Sequence, residues 1–164
     1  DPAIVNVWLS FRGALAVQGT EVDGDPPRDL FRASGGGATN GDAIRGALRS
    51  TIALLQSRGK RVGVLLQVPE LGFRVSECIG RPFSLGHGAA RVPCAVPRAV
   101  VMARQSAYRS IVLDMQREFK IAVYDPLPAL CDETACLAVA NGHLLFSDDN
   151  HLGVFGSSWA LRHF

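Results

Sequence analysis

A chain of 164 residues that is 48% hydrophobic and 20% charged can build one folded domain with a real core, which excludes a disordered chain. The net charge is +2 and the 17 Lys and Arg residues are scattered, so the clustered basic surface of a nucleic-acid binder is excluded too. The sequence has no apolar run long enough to cross a bilayer and no signal-peptide pattern. We therefore expect a single domain over residues 1–164, with no nucleic-acid partner.

The first half of the chain predicts a strand, a loop and a helix. Ala3–Leu9 is short, apolar and rich in β-branched residues, which predicts a buried strand. Residues 18–42 are rich in Gly, Asp, Pro and Asn and predict a loop. The helix that follows has Asn40 or Asp42 as its cap and Gly59 at its end. Its apolar positions recur at helical spacing: Ile44, Leu48, Ile52 and Leu55.

A second strand, a long connection, a helix and a third strand come next. Arg61–Val68 predicts a buried strand that Pro69 ends. The connection over residues 69–97 is long enough to be functional or held by a cross-link. Pro97 then opens a helix, and Ile121–Tyr124 predicts the third strand. The helix has one apolar stripe, formed by Val101, Tyr108, Ile111, Met115 and Phe119.

The order of these elements predicts the fold class. A helix that leads directly into a near-continuous apolar strand is typical of a parallel sheet covered on both faces. We therefore expect an α/β fold, arranged as a three-layer α/β/α sandwich with a parallel sheet. A short hairpin around Asn141-Gly142 and a last helix from about Leu152 complete the chain.

The four cysteines form two close pairs in the sequence. This spacing favours two local disulfides, Cys78–Cys94 and Cys131–Cys136. Zinc sites use shorter spacings such as Cys-x-x-Cys, and neither pair has one. Spacing alone does not fix the connectivity, and four unrelated buried thiols are the alternative. Two disulfides would place the domain in an oxidising compartment, a periplasm or the extracellular space.

The residues that carry chemistry lie together near the end of the chain. Asp148, Asp149 and His151 fall within four positions, just before the last predicted helix. In nucleophilic acyl transfer, a neutral imidazole takes a proton from a hydroxyl, and a carboxylate on its other nitrogen orients the ring. An Asp three positions before a His, on a turn, is able to reach that ring. The spacing therefore predicts that Asp148 orients His151.

Three other interpretations of these residues remain open from the sequence. Asp148 or Asn150 would cap the last helix, a role that is compatible with catalysis. A metal site would draw on His143, Asp148, Asp149 and His151, although no repeated ligand spacing supports it. His151 would also fit as a structural histidine in the core.

Three segments of the chain resemble the SGNH (GDSL-like) hydrolase superfamily, in which Asp-x-x-His supplies two members of a catalytic triad before the final helix. More narrowly, they resemble the SGNH domains fused to acyltransferase-3 family membrane proteins, which O-acetylate bacterial surface polysaccharides. The segments are Gly59–Phe73, Cys131 to Cys136 after Asp125-Pro126, and Phe146–Leu152. The resemblance implies a flavodoxin-like sheet, with His151 as base then acid and Asp148 as its orienting partner.

One departure from the superfamily concerns the nucleophile, which sits in a Gly-Asp-Ser block after the first strand. The chain has no Gly-Asp-Ser. We therefore expect Asp1 to begin at the third core strand, with the first elements missing and the serine upstream. Ser10 as a replacement nucleophile and a catalytically inactive domain are the alternatives. The resemblance also implies an oxyanion or substrate group near the end of Ala3–Leu9, with Asn6, Trp8 and Ser10 as candidates, although Asn6 paired inside the fold fits as well.

The function that the resemblance implies is transfer of an acetyl group to a sugar hydroxyl of a polysaccharide or lipopolysaccharide through an acyl-serine. A fused or associated membrane acyltransferase domain would deliver the acyl group and tether this domain to the inner membrane, on its periplasmic or extracellular side. The chemistry requires no cofactor or metal. Two alternatives remain: an esterase with water as acceptor, and a non-catalytic carbohydrate-binding domain.

Overall fold

The computed structural model describes residues 1–22, 39–79, 90–162 and 164. Residues 23–38 of the first predicted loop and 80–89 of the long connection lie outside this description. The elements run in the order β1 Asn6–Leu9, α1 Gly13–Gln18, α2 Asn40–Ser57, β2 Arg61–Leu65, a 3-10 helix Val75–Cys78, β3 Ala95–Pro97, α3 Arg98–Phe119, β4 Ala122–Tyr124, α4 Leu127–Leu130, β5 Ala135–Leu137, β6 Val139–Ala140, β7 His143–Leu144 and α5 Val154–Ala160.

The chain divides into two compact units. Unit 1 comprises Asp1–Gln67 and Arg104–Asp125, and unit 2 comprises Val68–Ala103 and Pro126–Phe164. Among the described residues, no helix combines the length and the apolar character that crossing a membrane requires.

Unit 1 contains a parallel sheet of three strands in the order β1-β2-β4. In its register, Val7 lies opposite Val62 and Val64 lies opposite Val123. These β-branched residues suit a pleated surface that is packed on one side. The predicted α/β class with a parallel sheet is confirmed.

The core of unit 1 lies on one face of this sheet. Val62 and Val64 point to the same side of β2 and are buried against α2 and α3. The helices contribute the apolar positions that the sequence pattern predicts, among them Ile44, Leu48, Ile52, Tyr108, Ile111 and Met115. Tyr108 packs so closely on α1 that a Cβ at Gly13 would lie 2.2 Å from its ring.

The prediction that Ala3–Leu9 is a buried strand is wrong. Ile4, Val5 and Trp8 are 52%, 48% and 42% exposed, and the regular strand covers only Asn6–Leu9. The physical reason is that β1 is an edge strand, which within the described residues pairs with β2 alone. The β1 side chains that point away from the core lie on the other face of the sheet and are exposed as well.

An apolar cavity of about 250 Å³ lies where β1 ends. It is lined by Leu9, Ser10 and Phe11 and by the α2 residues Ile44, Ala47, Leu48 and Thr51. Within the described part of the chain, β1 is therefore hydrogen-bonded to a strand on one side, and this apolar cavity lies at its carboxyl end.

The helix boundaries differ from the predicted ones at their starts. Thr39 caps α2: its Oγ1 accepts from the backbone N–H of Asp42 at 3.2 Å, and the Asp42 carboxylate accepts from the Thr39 N–H at 3.1 Å. Asn40 is therefore inside the helix, and Asp42 is the third residue of a reciprocal cap. Gly59, with φ of 73°, ends the helix as predicted. α3 begins at Arg98 because Pro97 belongs to β3.

Unit 2 is built from much shorter elements. β3 pairs with β5, and β6 pairs with β7 to form the predicted hairpin at Asn141-Gly142. Both predicted disulfides are present, Cys78–Cys94 and Cys131–Cys136. The core around them is formed by buried apolar residues that include Leu71, Phe73, Val96, Leu127, Leu130, Ala138, Leu145 and Phe146.

Candidate active site

The candidate site is a closed turn in unit 2, between β7 and α5. Ser147 donates its backbone N–H to the carbonyl of His151 at 2.8 Å, and Phe146 and Leu152 form an isolated antiparallel bridge. Because Leu152 takes part in this bridge, the last helix begins at Val154 rather than at the predicted Leu152. The turn thus holds Asp148 and His151 between two fixed ends.

Asp148 organises the inside of this turn with both carboxylate oxygens. Its Oδ1 accepts from the backbone N–H groups of Asn150 at 2.8 Å and His151 at 2.7 Å. Its Oδ2 lies 2.8 Å from His151 Nδ1. The predicted hydrogen bond between the two side chains is confirmed. The alternative that Asp148 or Asn150 caps the last helix is wrong, because the cap position is Gly153 and no side chain caps it.

The electrostatics of the turn favour an ionised Asp148 carboxylate. Burial by itself would raise the pKa of Asp148, but the hydrogen bonds from the Asn150 and His151 backbone and from the His151 ring outweigh it and hold this pKa below its usual value. An ionised carboxylate at Nδ1 fixes the proton there and leaves the lone pair of Nε2 available. The His151 side chain is 66% exposed, so Nε2 is accessible, and a buried structural histidine is ruled out.

Further contacts support the turn, and the sequence reasoning missed them. The backbone N–H of Leu71 donates to the carbonyl of Asp149 at 2.7 Å, and Asn150 Nδ2 donates to Asp149 Oδ1 at 2.9 Å. Beneath the turn, a Cβ at Gly156 would lie 1.7 Å from the carbonyl oxygen of Leu145. The only signal for this contact in the sequence is a glycine within a short helix, which does not identify its neighbour.

The proposed metal ligands do not form a cluster. Within the described ranges, no three His, Cys, Asp or Glu side chains are placed as a metal ion would require. The His143 ring instead lies 4.6 Å from the Phe155 ring, between centroids.

The three other candidate residues all belong to unit 1. Asn6 and Trp8 are exposed on the sheet face opposite the core, where they line a cavity of about 410 Å³ with Arg61 and Gly63. The alternative that Asn6 is paired inside the fold is therefore wrong. Ser10 follows β1 directly and lines the apolar cavity. In open parallel sheets, ligands bind at the carboxyl ends of the strands, which suits Ser10 better than Asn6 at the strand's start. An oxyanion or substrate role stays a prediction for all three.

The described structure places the chain among α/β proteins with a parallel sheet, and unit 2 adds a turn that pairs Asp148 with an exposed His151 before the last helix. The family model described as "SGNH domain (fused to AT3 domains)" matches residues 1–164, so the chain belongs to this family. This confirms the resemblance seen in the sequence.

A solved structure has a similar fold. It is the periplasmic domain of the lipopolysaccharide acetyltransferase from Salmonella ser. Paratyphi A, with a TM-score of 0.57 and 18% sequence identity. The match covers 96% of this chain and 54% of the other, so this chain spans about half of that domain's length. A search of curated proteins finds no match.

Proposed function

We propose that this chain is part of an extracytoplasmic O-acetyltransferase domain, which moves an acetyl group onto a sugar hydroxyl of a bacterial surface polysaccharide. The observation that carries the proposal is the Asp148–His151 pair, with Nδ1 held by an ionised carboxylate and Nε2 exposed. The chain belongs to a family of SGNH domains fused to AT3 domains. This supports a membrane acyltransferase domain that delivers the acetyl group to this domain and tethers it to the membrane. The two disulfides support a periplasmic or extracellular site of action.

The chemistry proceeds in two steps that share one base. A serine hydroxyl attacks the acetyl carbonyl of the donor, His151 Nε2 takes the hydroxyl proton, and the proton passes to the donor's leaving group. A sugar hydroxyl then attacks the acetyl-serine carbonyl. Nε2 takes the sugar's proton and returns it to the serine oxygen as the ester bond to serine breaks. The acetyl group has moved to the sugar, and the enzyme is restored without oxidant, cofactor or metal.

The serine in this proposal lies outside the 164 residues, because they contain no Gly-Asp-Ser. The open side of β1 supports a further strand beside it, and in the family pattern the nucleophile follows such a strand. Ser10 is the alternative nucleophile. Ser10→Ala in the whole protein should lower turnover far less than His151→Ala does, whereas a loss as large as that of His151→Ala would assign the nucleophile to Ser10.

An esterase is the second candidate function, and the exposure of His151 favours it. Water reaches a side chain that is 66% exposed, and the same acetyl-serine reacts with water or with a sugar. Product analysis separates the two functions. Acetyl groups found on the polysaccharide indicate transfer, and free acetate at an equal rate with and without polysaccharide indicates hydrolysis.

The proposal is tested with the whole protein and a small activated acetyl ester such as 4-nitrophenyl acetate. His151→Ala should lower kcat by at least about 10³-fold, and Asp148→Asn by about 10⁴-fold if the tautomer is as important as in serine proteases. Asp149→Asn, a neighbouring carboxylate that does not touch the ring, is the matched control and should stay within a few-fold of wild type. Circular dichroism checks the fold. Normal turnover by a folded His151→Ala protein would refute the role of His151 as the base, and no turnover by the folded wild type would favour the non-catalytic carbohydrate-binding domain.

A further inference from the structure

A row of aromatic and cationic side chains lies on the elements that flank the turn Ser147–His151. It consists of His143, Phe155, Trp159 and Arg162, which we name the aromatic row. The ring centroids of His143 and Phe155 are 4.6 Å apart, and those of Phe155 and Trp159 are 5.8 Å apart. The Arg162 guanidinium carbon lies 3.6 Å from the centroid of the Trp159 ring. Four groups from β7, α5 and the residues after α5 thus form one continuous surface.

The aromatic row is fixed in place and is also accessible. Trp159 Nε1 donates to the carbonyl of Ala129 at 2.8 Å, and Arg162 Nε donates to the carbonyl of Trp159 at 3.1 Å. His143 and Arg162 are exposed, and Phe155 is 36% exposed. Side chains that are already immobilised lose little conformational entropy when a ligand binds, so a preorganised surface of this kind favours binding.

We propose that the aromatic row binds the acceptor polysaccharide and holds one of its hydroxyls toward His151. The inference deepens the proposed function and rests on it. A sugar ring has an apolar C–H face and a rim of hydroxyls. The aromatic quadrupole attracts the C–H face, and the imidazole and guanidinium donate to hydroxyls or to sugar carboxylates.

The position of the row supports this occupant over others. Phe155 follows His151 by four residues, so their Cα atoms are within about 14 Å of each other, a span that a few linked sugars cover. The cation at the far end of the row favours a chain that carries acidic groups as well as hydroxyls. Binding of a purely apolar partner would instead depend on Val154, because this apolar side chain lies on the same helix and is 89% exposed.

The experiment measures acyl transfer by the whole protein to the cell-surface polysaccharide of the producing organism, freed of lipid by mild acid. Phe155→Leu removes the ring and keeps an apolar side chain. It should raise KM for the polysaccharide roughly ten-fold, with hydrolysis of the small ester, which does not contact the row, unchanged. Phe155→Tyr should restore KM. Arg162→Gln should raise KM roughly five-fold through lost hydrogen bonds. Val154→Ala is the matched control and should leave KM unchanged. Equal KM values for wild type and Phe155→Leu would overturn the inference.

Two further measurements separate the failure of this inference from the failure of the proposed function. Binding of the same polysaccharide to the His151→Ala protein requires no chemistry, and Phe155→Leu in that background should weaken it by a similar factor. If wild type transfers no acetyl group, this binding difference still decides whether the row holds sugar. Vesicles of phosphatidylethanolamine and phosphatidylglycerol test the lipid alternative: binding that Phe155→Leu leaves intact and Val154→Ala reduces would assign the surface to lipid and overturn the inference.

Discussion

The two units of this chain reach order by different means. Unit 1 buries apolar side chains between one face of a parallel sheet and two long helices, and its described residues include no disulfide. Unit 2 has strands of two or three residues and helices shorter than two turns, apart from the start of α3, and it contains both disulfides. Regular elements bury enough area to stabilise themselves, whereas short ones need cross-links and hydrogen-bonded turns.

The candidate site belongs to the cross-linked unit, and this difference explains how the site is held. Asp148 and His151 lie in a turn that one backbone hydrogen bond closes, from Ser147 to His151. Two backbone N–H groups that donate to the Asp148 carboxylate and one bond from Leu71 also hold it. A turn closed in this way fixes side-chain geometry without a long element beneath it. Catalytic residues are commonly placed on such loops when the surrounding scaffold is rigid.

Gly156 and Gly63 offer the sharpest contrast between the units. A Cβ at Gly156 would meet the Leu145 backbone at 1.7 Å, while a Cβ at Gly63 would meet the ring of Trp8 at 2.5 Å. The atoms met at Gly63 belong to a partly exposed side chain, whereas those met at Gly156 belong to the Leu145 backbone, which lies between β7 and the turn Ser147–His151. Gly156→Ala should therefore destabilise the protein by about 3 kcal/mol or more, and Gly63→Ala by about 1 kcal/mol. Urea unfolding measures both; equal losses would show that the turn in unit 2 yields as readily as an exposed ring.

Removal of the disulfides should affect unit 2 selectively. Cys78–Cys94 closes a loop of 16 residues and Cys131–Cys136 a loop of 5, so replacing each pair by Ala should cost about 3 and about 2 kcal/mol respectively. The chain has two tryptophans, Trp8 in unit 1 and Trp159 in unit 2. During urea unfolding, the fluorescence of the Trp8→Phe protein reports unit 2 through Trp159, and that of the Trp159→Phe protein reports unit 1 through Trp8. Loss of a disulfide should lower the unfolding midpoint more for the Trp159 signal. Identical shifts would mean that the two units unfold together.

A smaller effect is expected on the helical side of unit 1. Gly46 is exposed within α2, and a Cβ there would meet no atom within 4 Å. Gly46→Ala should raise the free energy of unfolding by about 0.5–1 kcal/mol, because alanine loses less backbone entropy in a helix. Thermal unfolding provides the measurement. A Cβ at Gly142 in unit 2 would also meet no atom within 4 Å, but the φ of 76° there is strained for alanine. Gly142→Ala should therefore lower the free energy of unfolding, and an increase would contradict this contrast with Gly46→Ala.

The smallest effect concerns the pH dependence of stability that arises from Asp148 in the turn Ser147–His151. The pKa of Asp148 in the folded protein lies below its usual value of 3.8, so the ionised carboxylate stabilises the fold above that pH, and this contribution is lost as the pH falls through the folded-state pKa. Because the side chain is 47% exposed, the contribution should be less than about 1 kcal/mol. The stability difference between wild type and Asp148→Asn should therefore shrink in urea titrations below about pH 4. A difference that grows at low pH would contradict an ionised, hydrogen-bonded Asp148.

The local features of the chain were predictable from the sequence because a few neighbouring residues determine them. Asp148 reaches His151 across three positions of a turn, and the cysteines pair with close neighbours. Helical spacing likewise identified the buried faces of α2 and α3. The predicted cap of α2, Asn40 or Asp42, was wrong, and the cap is Thr39. A reciprocal pair of hydrogen bonds between Thr39 and Asp42 decides this, and the residue type alone does not, because all three residue types are common caps.

By itself the sequence determined the α/β class and the closeness of Asp148 to His151, and it favoured the two disulfides, because periodicity and short-range spacing depend on residues close together in the chain. Only the tertiary structure decided that Ala3–Leu9 is an exposed edge strand, because exposure depends on which strands lie beside it and not on its own β-branched residues. The same holds for the aromatic row: His143 meets Phe155 only because the turn at Ser147–His151 folds β7 and α5 together, a contact that no periodicity in the sequence encodes.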